Sequence, residues 1–546
     1  MSTQDLREEL ARYQGPLRVW ATDTEQHPSR CGVHTAAKVR RKFTAPSWQL
    51  RYSEQPFILG VIRDIIVALH RDERIDTWEG LQKALAEQLE NHLGLHPAVK
   101  TFIPHAVENY LNAHDELAAR YGEMHYVTVD PVNGDGMRQV KVWAPVYRGA
   151  DGSREIRRIR TNTARPGTDS EHDQWATTAA YIASKLHMRN PATAVRVVEV
   201  GLHDGSTETV FEGTPDEVRQ RYETHVRPVI QDLIRPGEYH PGRSCQKCKL
   251  AGCCPRLHDL SGCLGLKKAG PYTRSVSAAD LELYSKCATR WYLERVCWLP
   301  KEDTSSEASD RGRTIHSWLA QAHERRTACT DADVVPHGQD GTFTGSLTAE
   351  QHASVHEFLA AHARSCALAD GCEAVSIETP VYGYDATADV IVASQPDLVY
   401  RDSAGIIVVH ETKTTTEMPA DNSDAFDRFF AVPWLINMAG TAKDVFGESS
   451  AIPRIELEVI TPEESRTFVW DLAHDEDVVC MARADVRQRA KAWNRDTTWA
   501  PSPGPQCTWC PVKRWCPDAA DPDEAGGDQL RLYDEPCVGL PLEPSE

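Results

Sequence analysis

A repeated cysteine spacing constrains the fold of this chain more than any other feature of its sequence. Near the C-terminus, a CxxC pair is followed, after five intervening residues, by a third cysteine, at Cys507, Cys510 and Cys516. The same spacing occurs about half a chain earlier, at Cys245, Cys248 and Cys254. Recurrence of an unusual spacing at long range predicts that the chain contains two copies of one structural unit.

A single cysteine also lies far upstream of each trio. There are 219 residues between Cys287 and Cys507, and 213 between Cys31 and Cys245. Segments between these cysteines also align, for example VRVVEVGLHDGSTETVFEG with PRIELEVITPEESRTFVWD. We therefore predict two tandem α/β units at 1–265 and 270–517, each with a central mixed sheet flanked by helices and closed by a four-cysteine cluster.

The last part of the chain has a different composition. Residues 517–546 contain nine acidic side chains and one arginine in a stretch rich in proline and glycine. Such a segment has too little apolar surface to build a core. We predict that 518–546 is a disordered acidic tail that folding and activity do not require.

Acidic and basic residues converge in the second unit, within Asp397 to Lys413. Asp397 to Tyr400 and Ile406 to His410 are predicted to form two strands joined by a turn. Glu411 and Lys413 are two residues apart and therefore share a face, which Asp397 reaches from the neighbouring strand. Two carboxylates at a strand end suit Mg²⁺ or Mn²⁺, and an ammonium beside them would orient or help deprotonate an attacking water. This combination suits phosphodiester hydrolysis. An ordinary surface hairpin is the alternative.

The two predicted units differ at these polar positions. We align Asp397 with Ala144, Glu411 with Arg160, Lys413 with Asn162 and His316 with Asp64. The first unit thus keeps the cysteines and lacks the polar set. Its arginine-rich run, Arg154 to Arg160, is either a DNA-contacting surface or a solvated strand edge.

Four cysteines per unit offer several chemistries. Four thiolates suit a [4Fe–4S] cluster, and we predict two such clusters, bound by Cys287, Cys507, Cys510 and Cys516 and by Cys31, Cys245, Cys248 and Cys254. Cys253 competes with Cys254 for the last place in the first set. Cys₄ zinc sites are the main alternative, and free thiols are another.

Composition and charge add weaker constraints. The polar start MSTQDLREELARY lacks the apolar core of a signal peptide, and no apolar run is long enough to span a membrane. We therefore expect a cytoplasmic protein with 16 reduced or metal-bound cysteines. A net charge of −20 excludes a broad DNA-coating surface but allows a local basic channel. Without a GxxxxGK[ST] loop, an ATP-driven motor is not expected.

Taken together, the motifs of the second unit resemble those of a known family. Cys287 in a Cys-x-x-Arg-Trp-Tyr context, His316, Pro396-Asp397, Glu411-Thr412-Lys413 and the final CxxCx₅C follow one another in that order. This order resembles the RecB-like PD-(D/E)xK nucleases with an iron–sulfur staple, the group that includes Cas4 and the AddB nuclease domain. The first unit looks like a degenerate relative.

The resemblance implies roles for individual residues. His316, Asp397, Glu411 and the Thr412 carbonyl would bind Mg²⁺ or Mn²⁺, and Lys413 would position the attacking water and stabilise charge on the scissile phosphate. It implies a deoxyribonuclease that acts on DNA with a separate helicase or other partner, in DNA repair or antiviral defence. A lone histidine on an amphipathic helix is otherwise a structural residue.

One family feature is missing. The helix after the lysine carries a Gln-x-x-x-Tyr motif in the family, whereas this chain has Trp434 and Met438 at the matching positions. Trp434 would either stack on a base or belong to the core. The alternatives to a nuclease are a catalytically weak or inactive iron–sulfur nucleic-acid-binding scaffold and a zinc-stapled regulatory protein.

Overall fold

The computed structural model describes most of the chain. The described residues are 3–25, 30–43, 52–53, 57–71, 78–90, 94–134, 137–165, 172–186, 190–304, 306–334, 349–369, 371–448 and 452–520. Almost all of the predicted acidic tail, 521–546, lies outside them.

The chain divides into two compact units. The first contains 1–256 with the short segments 289–302 and 510–521, and the second contains 257–288, 303–509 and 522–546. Within the first unit, the two short segments meet where the Trp515 indole donates a hydrogen bond to the Pro300 carbonyl at 2.8 Å. Trp515 also packs edge-on against Phe102 of the same unit, with ring centroids 4.9 Å apart.

Helices and strands are intermixed along the described part of residues 1–256. The helices are α1 Thr3–Arg12, α2 Ala21–Thr24, α3 Gly32–Val39, α4 Ile58–Arg71, α5 Trp78–Glu90, α6 Pro97–Tyr121, α7 Gln174–Ser184, α8 Pro215–Arg221 and α9 Arg227–Ile234. The strands are β1 Leu17–Trp20, β2 Tyr52–Ser53, β3 Met124–Val129, β4 Val132–Gly134, β5 Arg138–Lys141, β6 Pro145–Gly149, β7 Arg154–Arg160, β8 Val195–Gly201 and β9 Thr207–Gly213.

The remaining described elements follow residue 256. The helices are α10 Ala278–Lys286, α11 Ala288–Trp291, α12 Glu307–His323, α13 Ala349–Ala363, α14 Asn422–Arg428, α15 Ala431–Thr441 and α16 Glu476–Arg495. The strands are β10 His258–Asp259, β11 Tyr272–Val276, β12 Glu373–Ile377, β13 Val381–Asp385, β14 Val390–Ser394, β15 Leu398–Arg401, β16 Ile407–Thr414, β17 Arg454–Ile460 and β18 Ser465–Asp471.

The main sheet of the second unit has the strand order β12-β15-β16-β17-β18. β16 and β17 pair in parallel, whereas the other neighbours are antiparallel. Ile407 to Val409 are buried, as expected for β-branched residues on a central strand with both faces covered. A second sheet of this unit contains β10, β13, β14 and β11 in that order.

The predicted hairpin is confirmed, and its second strand is longer than expected. β15 and β16 pair in antiparallel register, with Leu398 opposite His410. The Asp402 carboxylate accepts hydrogen bonds from the amides of Ala404 and Ile406 inside the turn. Gly405 has φ +83°, a conformation that glycine adopts without steric cost. Glu411 and Lys413 therefore lie within the strand, which fixes them on one face.

The five-stranded sheet of the first unit has the same layout. Its order is β3-β6-β7-β8-β9, and β7 and β8 are the parallel pair among otherwise antiparallel neighbours. Tyr147 pairs with Glu155 in this sheet, as Tyr400 pairs with Val408 in the other.

Superposing these registers corrects our sequence alignment by two residues. With Ala144 matched to Asp397, the strand pairing matches Arg158, not Arg160, to Glu411. It likewise matches Arg160, not Asn162, to Lys413. The first unit still lacks both acidic groups and the lysine at these positions.

Both interpretations of the arginine-rich run are wrong. The run forms β7, a central strand between β6 and β8, so it is not a sheet edge. Arg154, Arg157 and Arg158 are buried, and Arg157 forms an ion pair at 2.8 Å with the equally buried Glu155. Side chains that are already neutralised inside a unit do not form a DNA-contacting surface.

A second basic cluster in the sequence, from Lys38 to Lys42, is also partly internal. The buried Arg40 guanidinium donates to the carbonyl oxygens of Leu10, Ala36 and Ile234. This guanidinium therefore satisfies backbone carbonyls near helix ends instead of facing solvent.

Helices α12 and α13 cover the main sheet of the second unit. Ser306 caps α12 by accepting the Ser309 amide, so the helix begins before Gly312 and not at it. Trp318 of α12 and Phe358 of α13 belong to one buried apolar cluster with Leu398 and Val408 of the sheet. This packing fixes the direction in which α12 presents His316.

The helix at the position of the missing family motif is a core helix. Trp434 and Met438 of α15 are both buried, so base stacking by Trp434 is excluded and the core interpretation is correct. α15 packs closely against α16, since a Cβ on Gly440 would come within 2.8 Å of Val479. No described helix is long and apolar enough to cross a membrane.

Candidate active site

Asp397 lies immediately before β15 and is the centre of the candidate site. One of its carboxylate oxygens accepts the backbone amide of Thr412 at 2.7 Å. The other lies 3.2 Å from Nδ1 of His316, which α12 presents. Helix, hairpin and central strand therefore converge on a single carboxylate.

Glu411 and Lys413 lie side by side at the end of β16, as their spacing predicts. The Lys413 ammonium is 2.5 Å from Oε1 of Glu411. Glu411 is nearly buried, whereas about a third of the Lys413 side chain remains exposed. The pair thus forms one wall of the site.

Glu378 was not identified from the sequence. It follows β12, and its donor atoms lie within 4.8 Å of those of His316 and Asp397. Its amide donates to the Asp397 carbonyl at 3.1 Å, and its carboxylate accepts from Gln395 at 2.9 Å. Glu378 has φ +45°, which is uncommon for a residue with a side chain and recurs at functional sites. Because β13 and β14 lie between Glu378 and Asp397 in the chain, no spacing motif could have identified Glu378.

The charges in the site perturb one another. Burial raises the pKa of Glu411, and the neighbouring Asp397 carboxylate raises it further. Burial and Asp397 likewise raise the pKa of Glu378. Burial alone would raise the pKa of Asp397, but the His316 hydrogen bond and the Lys413 charge bring it below its usual range. Crowded carboxylates of this kind are stabilised by an added cation.

The donor set fits a divalent metal ion. His316, Glu378 and Asp397 could each direct one atom to a common point, and Glu411 adds a third nearby carboxylate. Oxygen-rich donor sets with one imidazole suit Mg²⁺ or Mn²⁺. The Thr412 amide donates a hydrogen bond to Asp397. Metal binding by the Thr412 carbonyl stays a prediction.

The predicted cysteine ligands of the first unit interact electrostatically. Burial raises the pKa of Cys248, and Cys245, Cys31 and Cys254 raise it further. Cys31 begins α3 and accepts the amide of His34, so its sulfur is directed toward the helix N-terminus. The competing Cys253 thiol donates to the Leu250 carbonyl at 3.5 Å. These contacts bring the four predicted thiols into one region, whereas cluster binding stays a prediction.

The predicted set of the second unit is divided between the two compact units. Cys287 follows α10 and Cys507 lies in the turn Pro505–Trp509, both in the second unit. Cys510 and Cys516 belong to the first unit. Their joint binding of a cluster therefore also stays a prediction.

Comparison with known proteins bears on this site. The family model described as "PD-(D/E)XK nuclease superfamily" matches residues 275–517, which include His316, Asp397, Glu411 and Lys413. No curated protein matches the chain. A solved structure described as "Crystal structure of SSO0001" is 11% identical and aligns over 46% of this chain and 92% of that chain, with a TM-score of 0.20. That similarity is too low to support an argument. Residues 275–517 are a PD-(D/E)XK nuclease superfamily domain.

Proposed function

We propose that this chain is a Mg²⁺- or Mn²⁺-dependent deoxyribonuclease of the RecB/Cas4-like iron–sulfur type. We further propose that it acts in the cytoplasm with a separate helicase or other partner, in DNA repair or antiviral defence. The observation that carries the proposal is the convergence of His316, Glu378 and Asp397 beside the Glu411–Lys413 pair. A metal-dependent nuclease needs such a group of metal ligands beside a positively charged side chain.

The carboxylates and the imidazole would hold the metal. When bound, the ion would polarise the scissile phosphate and make water a stronger nucleophile. Asp397 is oriented by the Thr412 amide and by His316, so its position does not depend on the ion. Glu378 is oriented by Gln395 in the same way.

Lys413 would act as a fixed positive charge. Burial alone would lower the pKa of Lys413, but the Glu411 and Asp397 carboxylates raise it above its usual range. A charged ammonium cannot accept a proton from water. It suits orienting the attacking water and stabilising negative charge on the phosphate.

We propose that the first unit is a degenerate copy of the second. The shared strand order and the single parallel pair at the same place in each sheet support this proposal. At the catalytic positions, Arg158 and Arg160 occupy the places of Glu411 and Lys413 and bind Glu199 instead. The first unit would contribute structure or partner binding and no cleavage.

We also propose that each cysteine set holds one [4Fe–4S] cluster. In the first unit, the packing of Cys248 against the buried cluster that contains Cys31 supports the grouping. Protein purified without oxygen should be brown and contain about eight irons per chain, since each cluster has four. Two zinc equivalents without iron would contradict the cluster proposal and leave the nuclease proposal untouched.

Cleavage of labelled single- and double-stranded DNA with Mn²⁺ tests the function. Lys413→Met removes the charge and keeps the length of the side chain, and we expect it to abolish cleavage while the fold and both predicted clusters stay intact. Lys491→Met, at an exposed position on α16, is the matched control and should cleave like the parent. Equal cleavage by parent and Lys413→Met would refute the assignment.

A DNA-binding scaffold is the second candidate function, and one observation favours it. The core position of Trp434 and Met438 leaves α15 without the polar side chains that the family uses to contact the nucleic-acid backbone at these positions. DNA binding without any cleavage by the metal-loaded parent would support this alternative.

A further inference from the structure

A second group of possible metal ligands lies in the core of the second unit, apart from the residues of the candidate active site. It consists of His323, Cys329, His362 and Cys366, all four buried, with donor atoms within 4.8 Å of one another. His323 ends α12, Cys329 follows it in a loop, and His362 and Cys366 lie at the end of α13 and just beyond it. We propose that these four residues bind one structural Zn²⁺ ion.

The spacing of the donor atoms suits a tetrahedral ion. Zinc binds sulfur at about 2.3 Å and imidazole nitrogen at about 2.0–2.1 Å, so a tetrahedral nitrogen–sulfur pair should be about 3.5–3.6 Å apart. Nε2 of His323 lies 3.6 Å from Sγ of Cys366. A two-iron cluster would bind the imidazoles and the thiolates on different irons, which would separate them further. A nitrogen–sulfur pair at this distance, within a group of two sulfurs and two nitrogens that all lie within 4.8 Å of one another, therefore indicates a single zinc ion.

His362 is held in the orientation and tautomer that a zinc ligand needs. Its Nδ1 lies 2.9 Å from both carboxylate oxygens of Glu458 on β17. The carboxylate accepts the Nδ1 proton and leaves Nε2 with a free lone pair on the side of the cysteines. Nε2 is fully buried and has no hydrogen-bond partner. A carboxylate behind a histidine is the usual second contact of a zinc ligand.

Glu458 is itself fixed by several donors. Ser465 donates to it at 2.6 Å, and Nε2 of His410 lies 3.2 Å from its other oxygen. An apolar shell that includes Trp318 and Phe358 surrounds the group and excludes water. Four protein ligands in a closed, dry site are typical of structural zinc, because catalytic zinc keeps an open position.

Bound zinc would join three parts of the second unit. It would connect the end of α12 to the end of α13 and, through Glu458, to β17. His316 lies seven residues, or about two helical turns, before His323 on the same side of α12. The zinc site would thus fix the helix that presents His316. This inference does not depend on nuclease activity, because it rests on a separate set of residues.

Zinc-edge X-ray absorption on the intact, untagged protein tests the proposal without any substitution. We expect about one zinc per chain with two nitrogen and two sulfur ligands. The predicted four-cysteine sets contain no histidine, so zinc bound there would add only sulfur. Absence of nitrogen-bound zinc in protein prepared from zinc-replete cells would overturn the proposal. So would a Cys329–Cys366 disulfide in the freshly purified protein.

A pair of substitutions on one helix identifies the ligands. His362→Ala should lose one equivalent of zinc, measured by mass spectrometry, together with the nitrogen signal. His356→Ala is the matched control, because His356 is an exposed histidine on the same helix, and it should keep the parent's zinc content. If His362→Ala retains all of its zinc, His362 is not a ligand and the proposed site is wrong. The absorption spectrum of the parent decides the question if His362→Ala fails to fold.

Discussion

Arg157 gives the sharpest test of how the first unit is built. Its guanidinium is fully buried, bonds to the buried Glu155 at 2.8 Å and lies 4.1 Å from the centre of the Tyr147 ring. Arg157→Leu keeps apolar volume and removes the charge. Glu155 would then retain only the weaker contact with Arg196, at 3.4 Å.

The expected cost follows from burial. Breaking a buried ion pair by removing one partner costs about 3–5 kcal/mol, because the other charge stays desolvated. For a unit of this size, each kcal/mol lowers the melting temperature by about 2–4 °C, so Arg157→Leu should lower it by roughly 6–20 °C. Replacing Glu155 with Leu as well should recover at least half of that loss, since no unpaired charge remains.

Thermal unfolding followed by circular dichroism, with DNA binding measured in parallel, separates the explanations. Arg227→Leu is the control, because Arg227 forms a solvent-screened, exposed pair with Glu223 and its loss should leave the melting temperature nearly unchanged. If Arg157→Leu melts like Arg227→Leu and instead weakens DNA binding in a salt-dependent way, the buried-network explanation is wrong.

Three further predictions concern single sites. Glu378→Gln should weaken Mn²⁺ binding at least tenfold in calorimetry, whereas Glu373→Gln, at an exposed position on the strand that precedes Glu378, should not. Equal Mn²⁺ affinities of the two variants would show that Glu378 is not a metal ligand. Burial alone would raise the pKa of Glu199, but Arg160 and Arg158 bring it below its ordinary value of 4.5. The ionised Glu199 therefore stabilises the fold fully above pH 4.5, and this stabilisation is lost as the pH falls through the lowered pKa. The unfolding free energy of the parent should therefore fall more steeply with acid than that of Glu199→Gln, and parallel curves would contradict this. Trp434→Ala should lower the free energy of unfolding in urea by about 3–5 kcal/mol, whereas Met481→Ala, at an exposed position, should lower it by under about 1 kcal/mol. Both variants should keep the parent's DNA affinity and its salt dependence. If Trp434→Ala loses DNA affinity and keeps its stability, Trp434 stacks on a base.

The hairpin and its charged end were predictable because their physics is local. Strand alternation, a turn that ends in Gly405 and the two-residue spacing of Glu411 and Lys413 decide which face each side chain occupies. Glu378 escaped prediction because it reaches Asp397 from a neighbouring strand, and no spacing motif links them. The partners of His362 escaped for the same reason, since Glu458 lies 96 residues further along the chain.

The arginine-rich strand was misinterpreted because charge was treated as evidence of exposure. A strand with four arginines in seven residues is normally solvated. In the folded unit, Glu199 and Asp173 approach from β8 and from the start of α7 and neutralise Arg158 at 2.8 and 2.6 Å. Neither partner is close in sequence, so only the folded sheet shows that the charges are compensated.

Matched positions in the two sheets separate structural residues from those of the candidate active site. Tyr147 and Tyr400 occupy the same register position in the two sheets. Each tyrosine pairs with a residue on the neighbouring strand, and the residue two positions after that partner is a buried basic side chain. It is Arg157 in the first unit and His410 in the second. His410 contacts two buried glutamates, as Arg157 contacts Glu155, so a charged core recurs with different residues. A buried cation with a carboxylate partner stabilises either sheet regardless of catalysis. The position that follows this residue holds Arg158 in one unit and Glu411 in the other, so the proposed divergence of the copies includes the side chains that would bind metal and phosphate.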